Sequence, residues 1–146
     1  MRSRVFILNL LLVASAGVCA EKDQALQQLL ARAASARIED QPALYTEAAQ
    51  HELKSADQLY TAGKVDDARD AVKDLLTYSD KAHDASTQSG KKLKDTEIAM
   101  RKMAEKLRDM KRAVTFEEQG PVQAAADHLE SLRTDLLSHM FGKGKK

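Results

Sequence analysis

The sequence predicts an all-α protein, and three observations lead to that prediction. The 146 residues include only six glycines and two prolines, too few for the many turns of a barrel or sandwich. Charged residues make up 31% of the chain and hydrophobic residues 43%, which excludes both a multi-span membrane protein and a largely disordered chain. Apolar residues recur every three or four positions, the spacing of amphipathic helices.

Residues 1–20 have the layout of a secretory signal peptide. Two arginines precede a short apolar run, and Val18 and Ala20 occupy the −3 and −1 positions of a cleavage site. We therefore expect export, to the periplasm or the medium, with cleavage near Ala20. An uncleaved anchor and lipidation of Cys19 are the alternatives, but the residues before Cys19 are in the wrong order for a lipobox.

The mature chain is predicted to form a single helical domain over residues 21–141. Its first segment, 22–39, is a loosely one-sided helix, and Pro42 interrupts it because proline lacks an amide hydrogen. An amphipathic helix follows over about 43–62. Gly63 is the expected terminator, because glycine readily adopts the left-handed conformation that ends helices.

Residues 65–114 carry a strict heptad pattern. Apolar or small residues alternate spacings of three and four from Val65 to Val114, which is typical of a coiled coil or a long antiparallel hairpin. The pattern favours one continuous helix. A break near 87–91 is the alternative, because Gly90 lies there and glycine weakens a helix.

Pro121 is predicted to be the first residue of a final helix over about 121–140. The preceding connector, 115–120, is short, so this helix should fold back antiparallel on the heptad helix. Residues 142–146 are a basic tail, which we expect to be flexible.

A short segment places distinctive residues at the turn between the first two predicted long helices. Tyr60 precedes the turn, Gly63 opens it and Ala68 follows it at the start of the next helix. With Leu59, Asp66, Asp67 and Val72, this arrangement resembles the central turn of a tetratricopeptide repeat, over about residues 43–75. No second copy is found in the sequence, although such repeats occur in arrays. The resemblance implies a protein-binding helical hairpin without catalytic residues.

The heptad seam and the final helix supply the predicted interaction surface. The seam is longer than a final helix of about 20 residues can cover, so some of its apolar surface should need a partner. The candidate seam residues are Val72, Leu75, Leu93, Met100, Met103, Leu107, Met110, Val114, Leu129, Leu132 and Leu136.

The segment 91–114 is basic, with nine Lys or Arg residues against four Asp or Glu residues. It could be a solvated helix face with ion pairs such as Glu97–Arg101 and Asp109–Arg112, a surface that docks on the acidic helices, or a contact for anionic lipid or polymer. The candidate anion-contacting residues are Lys91, Lys92, Lys94, Arg101, Lys102, Arg108 and Arg112.

No catalytic, cofactor or metal site is predicted. His51-Glu52 begins like a zinc-protease motif, but Ser55 stands where the second histidine is required. The other histidines are scattered, and most of the methionines lie on the heptad seam, where they suit a core. No glycine-rich phosphate loop or nucleophile elbow occurs.

These observations predict a non-enzymatic, exported helical scaffold that binds itself or another envelope protein through the seam. A membrane- or polyanion-binding protein, or a small periplasmic chaperone, is the alternative, and a metal-binding protein that uses His and Met is a third. Neither a nucleic acid nor a small-molecule substrate is expected, since no aromatic residue lies within 91–114 for base stacking.

Overall fold

The computed structural model describes the backbone of residues 17–142 and the side chains of residues 23–142. Within this part the chain forms five helices and no strand, which confirms the all-α prediction. The predicted signal peptide lies outside the residues whose side chains are described, as do residues 143–146 of the predicted tail. The helices are α1 (Gly17–Ser35), α2 (Gln41–Thr61), α3 (Val65–Ser89), α4 (Leu93–Lys111) and α5 (Phe116–Phe141).

The architecture is a pair of antiparallel helical hairpins packed side by side. α2 packs mainly on α3, and α4 mainly on α5. The hairpins join through contacts of α2 with α4 and of α3 with α5, while α1 packs on α2. Because α3 and α4 each lie between α2 and α5, their outer faces point to opposite sides of the bundle.

A single core runs between the helices and is built from the residues that the apolar periodicity marks. Leu75, Met100, Leu107, Leu129 and Leu136 have no exposed surface. Buried alanines complete the core, among them Ala33 of α1 and Ala49 and Ala56 of α2. None of the helices in the described part is long and apolar enough to span a bilayer.

The preference for one continuous helix over 65–114 is wrong, because the chain breaks between α3 and α4. Gly90 and Lys92 both have left-handed backbone conformations, with φ of 65° and 60°. The Ser86 hydroxyl donates to the Lys91 carbonyl at 2.6 Å and satisfies an acceptor at the break. The heptad spacing persists across it because α3 and α4 both face the same core.

The final helix also begins earlier than predicted, at Phe116, so Pro121 lies inside α5 and the predicted connector 115–120 is wrong. The connection is residues 112–115. The first turn of α5 contains two glutamates, whose negative charges stabilise the positive end of the helix dipole. One of them, Glu118, is also held by α3 through Arg69, which fixes this turn against the bundle.

Candidate interaction surface

The structure places all of the predicted seam residues inside the chain's own fold. Val72, Leu75, Met100, Met103, Leu107, Met110, Leu129 and Leu136 are buried in the core. Leu93, Val114 and Leu132 are partly buried and pack against it. The second hairpin supplies the cover that the sequence analysis expected from a partner. In this fold the seam is therefore the core, and an interaction surface must be sought among exposed residues.

A buried carboxylate connects the two hairpins at the end of the bundle that holds the α2–α3 and α4–α5 turns. Glu118 is 2% exposed and accepts hydrogen bonds from the guanidinium of Arg69 and from the hydroxyl of Tyr60. Hydrogen bonding to Arg69 lowers the pKa of Glu118, despite its burial. Burial and the neighbouring carboxylate raise the pKa of Tyr60 to about 12. The cluster is fully occupied by its own partners and joins α2, α3 and α5.

A second ion-pair network joins α4 to α5. Arg133 donates to the nearly buried Glu97 at 2.6 Å and also pairs with Glu130, which in turn pairs with Arg108 at 3.4 Å. Hydrogen bonding to Arg133 lowers the pKa of Glu130. Neither network has a local signature, because the residues that join different helices lie far apart along the chain and only the packing of the helices brings them together.

The ion pairs of α4 divide the predicted anion-contacting residues into two groups. Arg108 pairs with Glu130, Arg112 pairs with Asp109 at 3.5 Å, and Lys92 pairs loosely with Asp95 at 3.9 Å. The remaining four are exposed, and their side chains make no ion pair or hydrogen bond with the described residues. We call these four the cationic face: Lys91, Lys94, Arg101 and Lys102.

The absence of partners along the cationic face has a structural cause. The expected Glu97–Arg101 pair does not form, because Glu97 turns inward to Arg133. Lys106, one turn further along α4, does find a partner in Asp57 of α2 at 2.9 Å. Within residues 23–142, carboxylate partners are thus found for three of the four cations in the second half of the basic segment, but for only one of the five in the first half.

A groove of about 410 Å³ adjoins the cationic face where α2 runs beside the start of α4. Ile98 is half-buried in its wall, and Lys102 belongs to both the groove and the cationic face. Its lining mixes apolar, amide, hydroxyl and charged groups: Ala43, Thr46, Glu47, Gln50, Lys92, Asp95, Thr96, Ile98, Ala99 and Lys102. This composition suits a polypeptide better than an apolar ligand, which would leave the charged groups unpaired.

Each histidine of the described part lies beside a carboxylate: His51 beside Glu52 within α2, His139 beside Asp135 within α5, and the other two across the α3–α5 contact. His83 contacts Asp135 at 2.7 Å, and His128 contacts Asp80 at the same distance. In the part of the chain that the structure describes, no group of three His, Cys, Asp or Glu side chains could hold a metal ion.

Glu52 is the one buried carboxylate without a strong cationic partner among the described residues. It is 7% exposed, and its nearest basic group is His51 at 3.5 Å. Burial raises the pKa of Glu52, and the charges of Asp74 and Asp23 act in the same direction. Carboxylates of α1 and α3 therefore both act on this side chain of α2.

Comparisons with protein-family models, with curated proteins and with solved structures give no match for this chain. The tetratricopeptide resemblance of residues 43–75 therefore stays a prediction.

Proposed function

We propose that the protein is a non-enzymatic, exported interaction module that binds an acidic polypeptide through the cationic face and the adjoining α2–α4 groove. The observation that carries the proposal is the set of four exposed, unpaired cations within the first part of α4 and the turn before it. Unbalanced charge of one sign beside a groove increases the encounter rate with an oppositely charged partner.

Two features favour a polypeptide over an anionic membrane. The large hydrophobic side chains that are exposed in the described part, Ile38, Phe116 and Phe141, lie in turns or helix ends outside the cationic face. A helix that binds a bilayer surface inserts such side chains. The groove also carries Glu47 and Asp95, which a continuous anionic surface would repel, whereas a polypeptide can place uncharged or basic residues beside them.

The α2–α3 hairpin supports the same kind of function. The turn follows Tyr60, and Gly63 has a φ of 74°, the left-handed conformation that glycine adopts at little cost. Ala68 is fully buried where the two helices meet. A tetratricopeptide-like hairpin implies protein binding, which agrees with a polypeptide partner.

Export is the second part of the proposal and rests on the signal-peptide pattern of residues 1–20. Fractionation of expressing cells followed by N-terminal sequencing tests it. The expected product begins at Glu21. An intact chain that stays in the cytoplasm contradicts it.

Binding is tested by titrating the protein with fluorescently labelled polyglutamate and following the anisotropy. In one variant, all four residues of the cationic face are changed to Gln. In a matched control, four other exposed cations without a partner among residues 23–142 are changed to Gln, so that the net charge of the two variants is equal: Arg32, Lys54, Lys64 and Lys73.

Affinity should fall about tenfold or more in the first variant, since each charge contact is weak but the four act together. The control should lose much less. Equal losses would show that net charge, and not this surface, causes binding. Vesicles of phosphatidylglycerol and phosphatidylcholine form a second arm, and tight binding to them in preference to polyglutamate would favour the membrane alternative.

A further inference from the structure

The opposite side of the bundle carries a row of unpaired acidic side chains. Asp67, Asp70 and Asp74 of α3 are exposed and make no ion pair with the described residues, whereas Asp66 beside them pairs with Arg69 at 3.2 Å. We call the three unpaired residues the acidic row. Its negative charge acts on its surroundings, because Asp74 contributes to the raised pKa values of both Glu52 and Tyr78.

The acidic row and the cationic face cannot neutralise each other within one chain. The outer faces of α3 and α4 point to opposite sides of the bundle, since each helix packs between α2 and α5. The acidic row is also near the α2–α3 turn, whereas the cationic face is near the α3–α4 turn at the other end. The two surfaces are therefore available to different neighbours.

The spacing of charges on the two surfaces matches. Lys94 and Arg101 are separated by seven residues on α4, as are Asp67 and Asp74 on α3. Two helical turns place each pair on one face, about 10.5 Å apart along the axis. A helix laid beside the other can thus form both ion pairs at once.

We propose that the partner of the cationic face is the acidic row of a second copy of this chain. This inference rests on the proposed function and names its acidic polypeptide. Because the two surfaces differ and lie on opposite sides, the contact is heterologous: each copy uses one surface for the copy before it and the other for the copy after it. Such contacts produce rings or open filaments, not a closed two-fold dimer.

The test uses two charge-reversal variants of the full chain and sedimentation velocity with light scattering. The first is Lys94→Glu/Arg101→Glu, and the second is Asp67→Lys/Asp74→Lys. The wild type should associate as concentration rises and dissociate as salt is increased, since the Debye length falls from about 10 Å at 0.1 M to about 3 Å at 1 M. Each variant alone should have an association constant at least about tenfold lower, because the two matched pairs of positions then carry like charges.

An equimolar mixture of the two variants should associate again, since every contact in it joins opposite charges. The control Arg32→Glu/Lys54→Glu changes the net charge as the first variant does and should associate like the wild type. Circular dichroism establishes that each variant is folded, and restored association of the mixture does so independently.

A wild type that stays monomeric at every concentration and salt overturns the inference, as does a mixture that fails to associate. If that monomeric wild type still binds polyglutamate through the cationic face, the proposed function stands with a different acidic partner. If the monomeric wild type does not bind polyglutamate either, the proposed function and this inference are both wrong. Capture by anionic vesicles without self-association overturns the inference in favour of a lipid surface.

Discussion

Replacement of Gly90 gives a stability change whose sign distinguishes a broken helix from a continuous one. Gly90 has a φ of 65°, and a Cβ atom built on it meets nothing within 4 Å, so the cost of a side chain comes from the backbone alone. An L-residue in this conformation costs about 1–2 kcal/mol. Replacement by alanine also reduces the conformational entropy of the unfolded chain, which offsets about 0.4–1 kcal/mol of that cost.

The Gly90→Ala variant should therefore be less stable by about 1 kcal/mol, which corresponds to a decrease in melting temperature of about 3–5 °C. Gly90→Asn should lose less, because asparagine tolerates the left-handed region. In a continuous helix the order reverses: alanine is more stable than glycine by about 1 kcal/mol, and asparagine lies between them.

Urea unfolding followed by circular dichroism measures both variants. Gly63→Ala is a matched control, since Gly63 also has a positive φ, of 74°, and open space around its Cβ position. It should be destabilised in the same direction. An alanine variant at Gly90 that is as stable as the wild type, or more stable, would refute the break between α3 and α4.

Four further changes test the core, an exposed control position and the two buried carboxylates. Leu107→Ala should cost about 2–5 kcal/mol in urea unfolding because Leu107 is fully buried, whereas Lys102→Ala should change stability by less than about 0.5 kcal/mol. Glu118→Gln should be less stable than the wild type at neutral pH. Because the pKa of Glu118 is lower in the folded chain than in the unfolded chain, its ionised form stabilises the fold above the unfolded-chain pKa, and this stability is lost as the pH falls through the folded-state pKa. The difference in unfolding free energy between variant and wild type should therefore shrink on acidification. Glu52→Gln should be more stable than the wild type at neutral pH. Because the pKa of Glu52 is raised in the folded chain, the wild type loses stability as the pH rises through that pKa and the buried carboxylate ionises, whereas glutamine stays neutral. The advantage of the variant should vanish at low pH, where Glu52 is protonated. Urea unfolding midpoints measured across a pH series check both glutamate predictions. A Glu52→Gln variant less stable than the wild type at neutral pH would contradict the prediction for Glu52.

The periodicity of apolar residues was sufficient to predict the helices and the core but not the break in the heptad segment. The helix predicted over 43–62 is α2, and every predicted seam residue is buried or packs on the core. Heptad spacing reports which face of a helix meets apolar surface. It is the same for one long helix beside a partner and for two shorter helices that turn back into a common core, so it could not distinguish them.

The start of α5 was missed for a related reason. Pro121 is a good first residue of a helix, and local preference placed the boundary there. In the structure the first turn of α5 also carries Glu118, which binds Arg69 and Tyr60, residues 49 and 58 positions away in the sequence. A contact of that range has no local signature in the sequence.

The charged surface shows most clearly what the sequence could and could not specify. Composition identified an excess of basic residues in 91–114. Which of those charges are free depended on tertiary contacts, because Glu97 is drawn inward by Arg133 of α5 and Asp57 of α2 neutralises Lys106. Folding therefore concentrates the imbalance at the start of α4, and the acidic row on the opposite side of the bundle has the complementary charge for a neighbouring copy.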